Sequence, residues 1–450
     1  MARVATGASV GAVDPLKHSA PLGGALAFLG VARCMPLLHG SQGCSAFAKA
    51  LLTRHFREPI PLQTTALTEV TAVLGGGECL AEALSTIAAR HTPDVIGVLT
   101  TGLTEANGED VAGALNVWRQ APPAFGAQRT EGPVVVHAST PDFKGGLQDG
   151  WAAAVEAIVT AFSVNTRDRV PGQINVLTSP ALSAVDIDEL RDLIRAFGLE
   201  PIVVPDLSGS LDGHLADGWS PLTTGGTTAA QLRRIGSSQA TVVAGSCMAG
   251  AGAILETRSG VPARNYDRLT GLGAVDALVA DLADQSGRPV PEPVRRWRRR
   301  LADGLLDAHF VLGGRRVALA LEPDLLLAVA SQMAEVGAEI VAAVAPQRAR
   351  GLAEMPCEEV VIGDLCDLEA RAADGGAELV IAGSHARAAA ARLGAAHLCL
   401  GFPVYDRLGA QLRPTVVYRG SLSLLIDAAN CLLDQEHVTH QPTVMEEIPC

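Results

Sequence analysis

The chain has 450 residues, of which 48% are hydrophobic and 18% charged, and its formal net charge is −13 at pH 7. This length exceeds that of one ordinary domain, and the hydrophobicity excludes a disordered protein. The acidic balance argues against nucleic-acid binding, which needs a clustered basic surface. No apolar run reaches the roughly 18 residues of a membrane span. The first residues lack the apolar core of a signal peptide, so we expect a cytoplasmic protein.

Short apolar segments recur along the chain, and longer Ala- and Leu-rich segments separate them. Such runs between helical patterns are typical of parallel strands that helices cover on both faces. The sequence therefore predicts an α/β fold of several doubly wound, mainly parallel sheets. The predicted strands are Asp94–Thr100, Pro133–Ala138, Ile174–Thr178, Pro201–Pro205, Ala240–Ala244, Arg316–Leu321, Glu339–Ala343, Glu359–Gly363 and Glu378–Ala382.

Two segments, 174–206 and 316–346, repeat one plan of strand, acidic helix start, helix, glycine and strand. Acidic residues favour a helix N-terminus. Glycine favours the left-handed residue that ends a helix, here Gly198 and Gly337. Each segment is therefore predicted to form a βαβ unit.

Helix- and strand-breaking residues cluster near 165–172 and 287–293, where we place the domain boundaries. The end of the chain, from about Glu436, is predicted to be a polar tail. The predicted Rossmann-like domains are 1–165, 166–290 and 291–419, and 420–450 is predicted to return to the first domain and end in the tail.

Nine cysteines are spread over the chain, and no CxxC pair occurs. The odd number and wide spacing argue against a disulfide framework and a self-contained zinc site. Any metal site must then take ligands from distant segments or from another chain. The cysteines in or beside apolar runs are predicted to pack as small hydrophobic residues; these are Cys357, Cys366, Cys399 and Cys431.

Nucleotide and nucleophile motifs are weak. No GxxxxGK[ST] loop is present, which argues against ATP hydrolysis by that mechanism. The glycines of 245–252 follow a predicted strand and are interpreted as ordinary turn residues. Cys247 lies in the same turn, where a reactive thiol is conceivable, but a buried structural cysteine is the preferred interpretation.

The segment His39–Pro59 (HGSQGCSAFAKALLTRHFREP) contains the candidate site residue, Cys44. Gly40 and Gly43 bracket a turn, and Ala46–Leu52 can continue as a helix. A cysteine there meets the backbone N–H groups at the helix N-terminus, which favour a thiolate and can stabilise the sulfides of an iron–sulfur cluster. The pattern alone leaves open whether Cys44 binds a metal.

The same segment resembles the cluster-binding segment of nitrogenase β-type subunits. Each further matching motif is short, but their order over more than 350 residues is specific. The chain is therefore similar to the nitrogenase component 1 family, which implies three Rossmann-like domains. The further motifs are TPDF (Thr140–Phe143), DLSGSLDGH (Asp206–His214), TTGGTT (Thr223–Thr228), LLDAHF (Leu305–Phe310), EPDLLL (Glu322–Leu327) and GFPVYDR (Gly401–Arg407).

Differences from the catalytic β subunits indicate which members of the family the chain resembles most. Catalytic β subunits carry two further cluster cysteines, whereas the matching positions here are Ala20 and Gly102. This pattern resembles the β-like subunits of the scaffold on which the iron–molybdenum cofactor is assembled. A cubane [4Fe–4S] cluster typically needs four protein ligands, so one cysteine cannot hold it. The resemblance implies a cluster shared with a partner subunit, to which this chain contributes Cys44 alone.

The resemblance also implies partners. These are a homologous α-like subunit in an α2β2 heterotetramer, the ATP-dependent nitrogenase iron protein, and proteins that deliver the cofactor precursor. The partner subunit would hold most of the transient precursor, and this chain would act as a scaffold without catalytic turnover of its own. Cys34 could be a second ligand, but it is interpreted as a packed thiol because it precedes the turn in a segment that resembles a helix end of the family. Residues 54–58 could tune the cluster, although an ion-pair and interface role is at least as well supported.

Other functions stay open at this point. The first is a truncated β subunit of a catalytic nitrogenase component. The second is a metal-free α/β binding or structural protein, in which Cys44 would be expendable. Scaffolds of vanadium systems and reductases of tetrapyrrole synthesis share the fold, but the RHFREP and DLSGSLDGH segments favour the nitrogenase branch.

Overall fold

The computed structural model of the protein describes residues 1–7, 14–120, 132–166, 168–215 and 218–439. Within these residues, no helix is long and apolar enough to span a bilayer. The strands are β1 (Arg3–Thr6), β2 (Cys34–His39), β3 (Gln63–Thr64), β4 (Val95–Thr100), β5 (Val134–Ala138), β6 (Val170–Thr178), β7 (Glu200–Val204), β8 (Ser238–Ala244), β9 (Ala263–Tyr266), β10 (Arg316–Ala320), β11 (Glu339–Ala345), β12 (Glu359–Ile362), β13 (Leu379–Ala382) and β14 (Ala396–Cys399). The helices are α1 (Ala20–Leu29), α2 (Gln42–Phe56), α3 (Glu69–Leu74), α4 (Gly77–His91), α5 (Gly102–Ala106), α6 (Val111–Gln120), α7 (Leu147–Phe162), α8 (Ala184–Ala196), α9 (Ala229–Leu232), α10 (Ala249–Ser259), α11 (Leu272–Ser286), α12 (Glu292–Leu312), α13 (Pro323–Glu335), α14 (Leu365–Gly375), α15 (Arg387–Leu393) and α16 (Val417–Thr439).

The strands form three sheets in which all neighbours are parallel. The first sheet has the order β3-β2-β4-β5, the second β7-β6-β8-β9, and the third β1-β12-β11-β10-β13-β14. Every residue of β2 and β4 is buried, as expected for strands covered on both faces. The predicted α/β fold with mainly parallel sheets is confirmed.

Both predicted βαβ units are present. The segment 174–206 forms β6, α8 and β7, and the segment 316–346 forms β10, α13 and β11. Gly198 and Gly337 adopt positive φ angles of 74° and 83° after their helices. These are the left-handed positions for which glycine was predicted.

The division into the three predicted domains stays a prediction, but the chain path differs from it in two places. Strand β1 pairs with β12 at the edge of the third sheet, although it lies within the predicted first domain. This pairing covers the β12 edge, which would otherwise expose unpaired backbone groups. We call each sheet with its covering helices a unit, numbered like the sheets. Helix α16 packs mainly along α12 and also contacts α8, α11, α13 and β14, which belong to the second and third units rather than the first. Most of the predicted polar tail, residues 440–450, lies outside the described residues.

Each sheet has one point where the chain leaves two neighbouring strands in opposite directions. These switch points lie between β2 and β4, between β6 and β8, and between β10 and β13. In open α/β sheets, ligands bind in the crevice at the carboxyl ends of the two strands at such a point. In the first sheet, that crevice is bordered by the residues that follow His39 and Thr100.

Asp324 joins the three units at the crevices of the second and third sheets. It is the second residue of α13, and its carboxylate accepts hydrogen bonds from Ser246 Oγ (2.5 Å), the Cys247 amide (3.3 Å) and Gln148 Nε2 (3.3 Å). Gln148 Oε1 accepts the Asp324 amide in return (3.0 Å). Gln148 lies on α7 of the first unit and Ser246 follows β8, so a single side chain links all three units.

Glu322 lies two residues before Asp324, at the same junction. Burial, together with the nearby Asp149 and Asp324 carboxylates, raises the pKa of Glu322 to about 8. Its Oε2 atom is buried and has no hydrogen-bond partner among the described residues. The folded protein therefore retains a proton on Glu322 that the unfolded chain releases near the ordinary glutamate pKa.

Replacing Glu322 with glutamine is expected to weaken the pH dependence of stability. Because the folded pKa lies above the unfolded one, the free energy of unfolding falls as pH rises from about 5 to 8, by at most about 1.4 kcal/mol per pH unit. Glutamine cannot ionise, so the variant should lose this slope and exceed the wild type in stability at pH 8. Urea denaturation at pH 5, 6, 7 and 8 measures both chains, and equal slopes would contradict the assignment.

Candidate metal centre at the first switch point

Cys44 lies at the first switch point, in the first turn of α2, and is exposed. Ser41 is the N-cap residue of this helix and makes no side-chain hydrogen bond to the helix backbone. Its hydroxyl oxygen lies instead 3.5 Å from the Cys44 sulfur. The Ser41 side chain therefore does not cap the N–H groups in the first turn of α2. These groups and the exposed Cys44 thiol lie together, which suits an anionic ligand such as an iron–sulfur cluster.

Threonine side chains hold the turn before Cys44 in place. Thr64 Oγ1 donates to the carbonyl of Gly40 (3.1 Å), and the Gly40 amide donates to Thr65 Oγ1 (3.1 Å). Thr101 Oγ1 donates to the carbonyl of His39 (3.0 Å). A Cβ on Gly40 would lie 2.5 Å from Thr101 Oγ1, so close packing requires glycine here. The sequence therefore builds a fixed platform for the thiol.

The two positions that the family resemblance matches to further cysteines of catalytic β subunits lie at the same edge of the sheet. Ala20 and Gly102 are the first residues of α1 and α5. Asp142 Oδ1 accepts the Ala20 amide (3.0 Å), and a Cβ on Gly102 would lie 3.6 Å from Asp142 Oδ2. Both positions therefore border Asp142, and neither offers a thiol.

Replacing Gly102 with alanine is expected to change the free energy of unfolding by less than about 1 kcal/mol. The added Cβ meets only Asp142, at ordinary contact distance, and alanine favours a helix over glycine. Thermal denaturation of the variant checks this. A loss of more than about 2 kcal/mol would show that backbone or packing demands glycine here, and that the missing cysteine reflects space rather than function.

The described residues do not complete a metal site by themselves. They contain no group of three or more His, Cys, Asp or Glu side chains placed to hold a metal ion. A four-ligand cluster at Cys44 would therefore need donors from outside the described residues of this chain. The donor type fits such a cluster, because an exposed thiol at a helix N-terminus is an accessible thiolate ligand.

Other cysteines occupy different environments. Cys34 is fully buried as the first residue of β2, which corrects the expectation that it lies near a helix end, and burial raises the pKa of its thiol. Burial likewise raises the pKa of Cys357 to about 11, and it raises the pKa of Cys247 well above its usual value. The prediction that Cys366 packs in an apolar run is wrong, because this residue is exposed on α14.

The RHFREP and GFPVYDR motifs contact each other at the other end of α2. His55 Nδ1 accepts the Val404 amide (2.9 Å), and Arg57 donates to the Tyr405 carbonyl (3.1 Å). The Arg54 guanidinium lies 4.1 Å from the centre of the Tyr405 ring. These side chains dock the first unit on the third, and they lie about three helical turns from Cys44. The structure favours the interface role over tuning of a cluster.

Exposed apolar side chains, called the edge patch here, lie on α2, α3 and α5, the helices that begin after β2, β3 and β4 at the same edge of the first sheet as Cys44. Large exposed apolar surfaces typically mark interaction sites. No sequence pattern predicted these residues to be exposed. The mainly apolar sequence EVTAVL of α3 could have indicated them, because a six-residue helix cannot bury apolar side chains on all its faces. The edge patch consists of Phe47 (68% exposed), Val70 (64%), Val73 (86%), Leu74 (81%) and Leu103 (38%).

Comparisons with known proteins show the family and the fold of the chain. The family model "Nitrogenase component 1 type Oxidoreductase" matches residues 19–433. The chain is 46% identical to the "Nitrogenase iron-molybdenum cofactor biosynthesis protein NifN" of Rhodobacter capsulatus, over 95% of this chain and 92% of that one. It is 47% identical to the protein of the same name from Rippkaea orientalis, over 96% of each chain. The solved structure "Nitrogenase Cp1 at pH 6.5" superposes with a TM-score of 0.90 at 30% identity, covering 99% of this chain and 98% of that one.

Proposed function

Because the chain belongs to the nitrogenase component 1 type oxidoreductase family, we propose that it is a subunit of the scaffold on which the iron–molybdenum cofactor of nitrogen fixation is assembled. The relatives that match it over nearly their whole length are named as cofactor biosynthesis proteins. In this role the chain shapes and completes a binding site without catalytic turnover of its own.

The observation that carries the proposal is a single exposed thiol at the first switch point. Cys44 would supply this chain's one ligand to a [4Fe–4S] cluster, and the partner subunit would supply the others. Such a cluster, when bound, transfers single electrons. The absence of thiols at Ala20 and Gly102 favours this role over a catalytic β subunit, which needs them for a larger cluster.

The edge patch supports a subunit interface at the same place. Its exposed Phe47 lies one helical turn after Cys44, so a partner that covers the patch would also bring ligands to the thiol. We assign this surface to a homologous NifE-like subunit, with two such pairs forming an α2β2 heterotetramer. The nitrogenase iron protein and precursor-delivery proteins would act on this assembly, and the NifE-like subunit would hold most of the transient precursor.

Replacing Cys44 with alanine is the test of this function. The complex with the NifE-like partner is purified without air, and its iron content and the EPR signal of the reduced cubane cluster are measured. The variant is expected to lose the signal and the iron of one cluster per pair, since three ligands hold a cubane poorly. Cys366→Ala is the matched control, because Cys366 is also an exposed cysteine on a helix. This variant should change neither the iron content nor the EPR signal. An unchanged signal in Cys44→Ala would refute the shared site.

A further inference from the structure

Two ionisable side chains lie buried beneath the turn that carries Cys44, and the proposed cluster site does not account for them. His39, the last residue of β2, is 0% exposed, and the Glu109 side chain is 9% exposed. His39 Nε2 lies 2.7 Å from Glu109 Oε2. Glu109 Oε1 is buried with no hydrogen-bond partner in the described part of the chain. Burying such a pair costs desolvation that an apolar pair avoids, so its retention calls for a role other than stability.

A chain of hydrogen bonds connects this pair to the turn. The Gly40 amide donates to Thr65 Oγ1 (3.1 Å), and that hydroxyl lies 3.0 Å from His39 Nδ1. Burial lowers the pKa of His39, which keeps its ring neutral. Nδ1 then accepts the Thr65 hydroxyl proton, while Nε2–H donates to the Glu109 carboxylate. The Gly40 amide, the Thr65 hydroxyl and the His39 ring thus each donate to the next group in a chain that ends at the Glu109 carboxylate. Hydrogen bonds in such a chain strengthen one another.

The carboxylate at the end of this chain is held against the start of α4. A Cβ on Gly76, the N-cap residue of that helix, would lie 2.7 Å from Glu109 Oε2 and 2.8 Å from His39 Cε1. Only glycine leaves room for the pair. The N-terminus of a helix favours a negative charge, which suits an ionised Glu109 as the final acceptor.

We propose that His39 and Glu109, acting through Thr65, are positioning residues that fix the Cys44 turn and thereby set how tightly the shared cluster is held. The inference rests on the proposed function, because it concerns the turn that would carry the ligand. Mutation of a group that hydrogen-bonds a metal ligand directly typically changes metal affinity 10–100-fold. Thr65 acts one step further away, through the Gly40 amide, so we expect an effect at the lower end of this range. Thr64 and Thr101 bind the same turn independently, so loss of the Thr65 link should loosen it without unfolding the chain.

The experiment measures iron loss from the complex with the NifE-like partner. Without air, the wild type and the variants Thr65→Val, Thr65→Ser and Glu109→Gln are mixed with the iron(II) chelator bathophenanthroline disulfonate, and the rate of iron release is followed. Thr241→Val is the control, because the hydroxyl oxygen of Thr241 also accepts an N–H group, from Asn175 in the second sheet (3.2 Å). Thr241 is buried whereas Thr65 is half-buried, so the control loses at least as much packing. The EPR line shape and melting temperature of each complex are recorded alongside.

We expect Thr65→Val to release iron about tenfold faster than the wild type, with an altered EPR line shape. Thr65→Ser should restore the wild-type rate, and Glu109→Gln should accelerate release to a smaller extent. A Thr65→Val rate within twofold of the wild type, an equal acceleration in Thr241→Val, or failure of the serine variant to restore the rate would overturn the inference. If Cys44→Ala loses the cluster while Thr65→Val behaves as the wild type, the proposed function stands and only this inference fails.

Discussion

Replacing Gly150 with alanine is expected to prevent stable folding of the chain. Helices α1 and α7 cross with their backbones in contact, and a Cβ on Gly150 would lie 1.8 Å from the carbonyl oxygen of Ala20. Gly23 makes the reciprocal contact, since its Cβ would lie 1.8 Å from the carbonyl oxygen of Leu147. A Cβ cannot rotate away from a backbone atom, so the helices would have to separate. All ten residues of α1 are buried, so this separation opens the core of the first unit.

We expect a loss of more than about 3 kcal/mol, which is a large part of the stability of a typical protein. The measurement is urea denaturation of the purified complex, together with the fraction of the chain recovered in soluble form. Gly102→Ala, a change of the same size at the same edge of the first sheet, is the matched control. A Gly150→Ala chain as stable as Gly102→Ala would refute the backbone contact between α1 and α7.

Removing the Asp324 carboxylate is the second substitution with a large expected effect. Asp324→Ala leaves Ser246 and Gln148 buried, at 4% and 1% exposure, without their acceptor. Buried polar groups that lose a charged partner typically cost about 3–5 kcal/mol in total. Because the lost bonds join three units, we expect the units to separate more readily, in addition to a lower melting temperature.

Limited proteolysis at low protease concentration measures this separation, because the protease can cleave between two units only when they move apart. Asp364→Ala is the control, because Asp364 is similarly buried but bonds to the Cys366 and Asp367 amides at the start of its own helix, α14. Loss of such a cap costs about 1 kcal/mol and should leave the spacing of the units unchanged. Equal melting temperatures and equal cleavage rates for the two variants would argue against Asp324 as the junction.

Apolar runs predicted the interior strands of the fold well and several other strands poorly. All nine predicted strands are present, because residues buried on both faces leave a continuous apolar signal. Strands β1, β3, β9 and β14 lie at sheet edges, and each contains polar or charged residues that leave no continuous apolar run. Strand β2 was missed although it is central, because Cys34 and Pro36 interrupt its apolar run. The pairing of β1 with β12 depends on contacts between distant residues, which no local pattern encodes.

The candidate site was predictable only in part. The glycine turn and the helix after it point to Cys44 as an accessible thiol, and resemblance points to a cluster. Local sequence does not show that Asp142 borders Ala20 and Gly102, because these residues come from separate βα connections. The His39–Glu109 pair spans 70 residues and also depends on Gly76, so only the folded first sheet brings it together.

The pairing of β1 with β12 constrains the order of events during synthesis. Residues Arg3–Thr6 leave the ribosome long before their partners, Glu359–Ile362. Translation at about 5–20 residues per second therefore leaves this segment waiting for tens of seconds before its sheet can close. The first and second sheets can form in that interval. The third sheet is complete only when β12 has been made and pairs with β1, which was synthesised much earlier. A bulky fusion placed directly before Arg3 would thus hinder the last step of folding rather than the first.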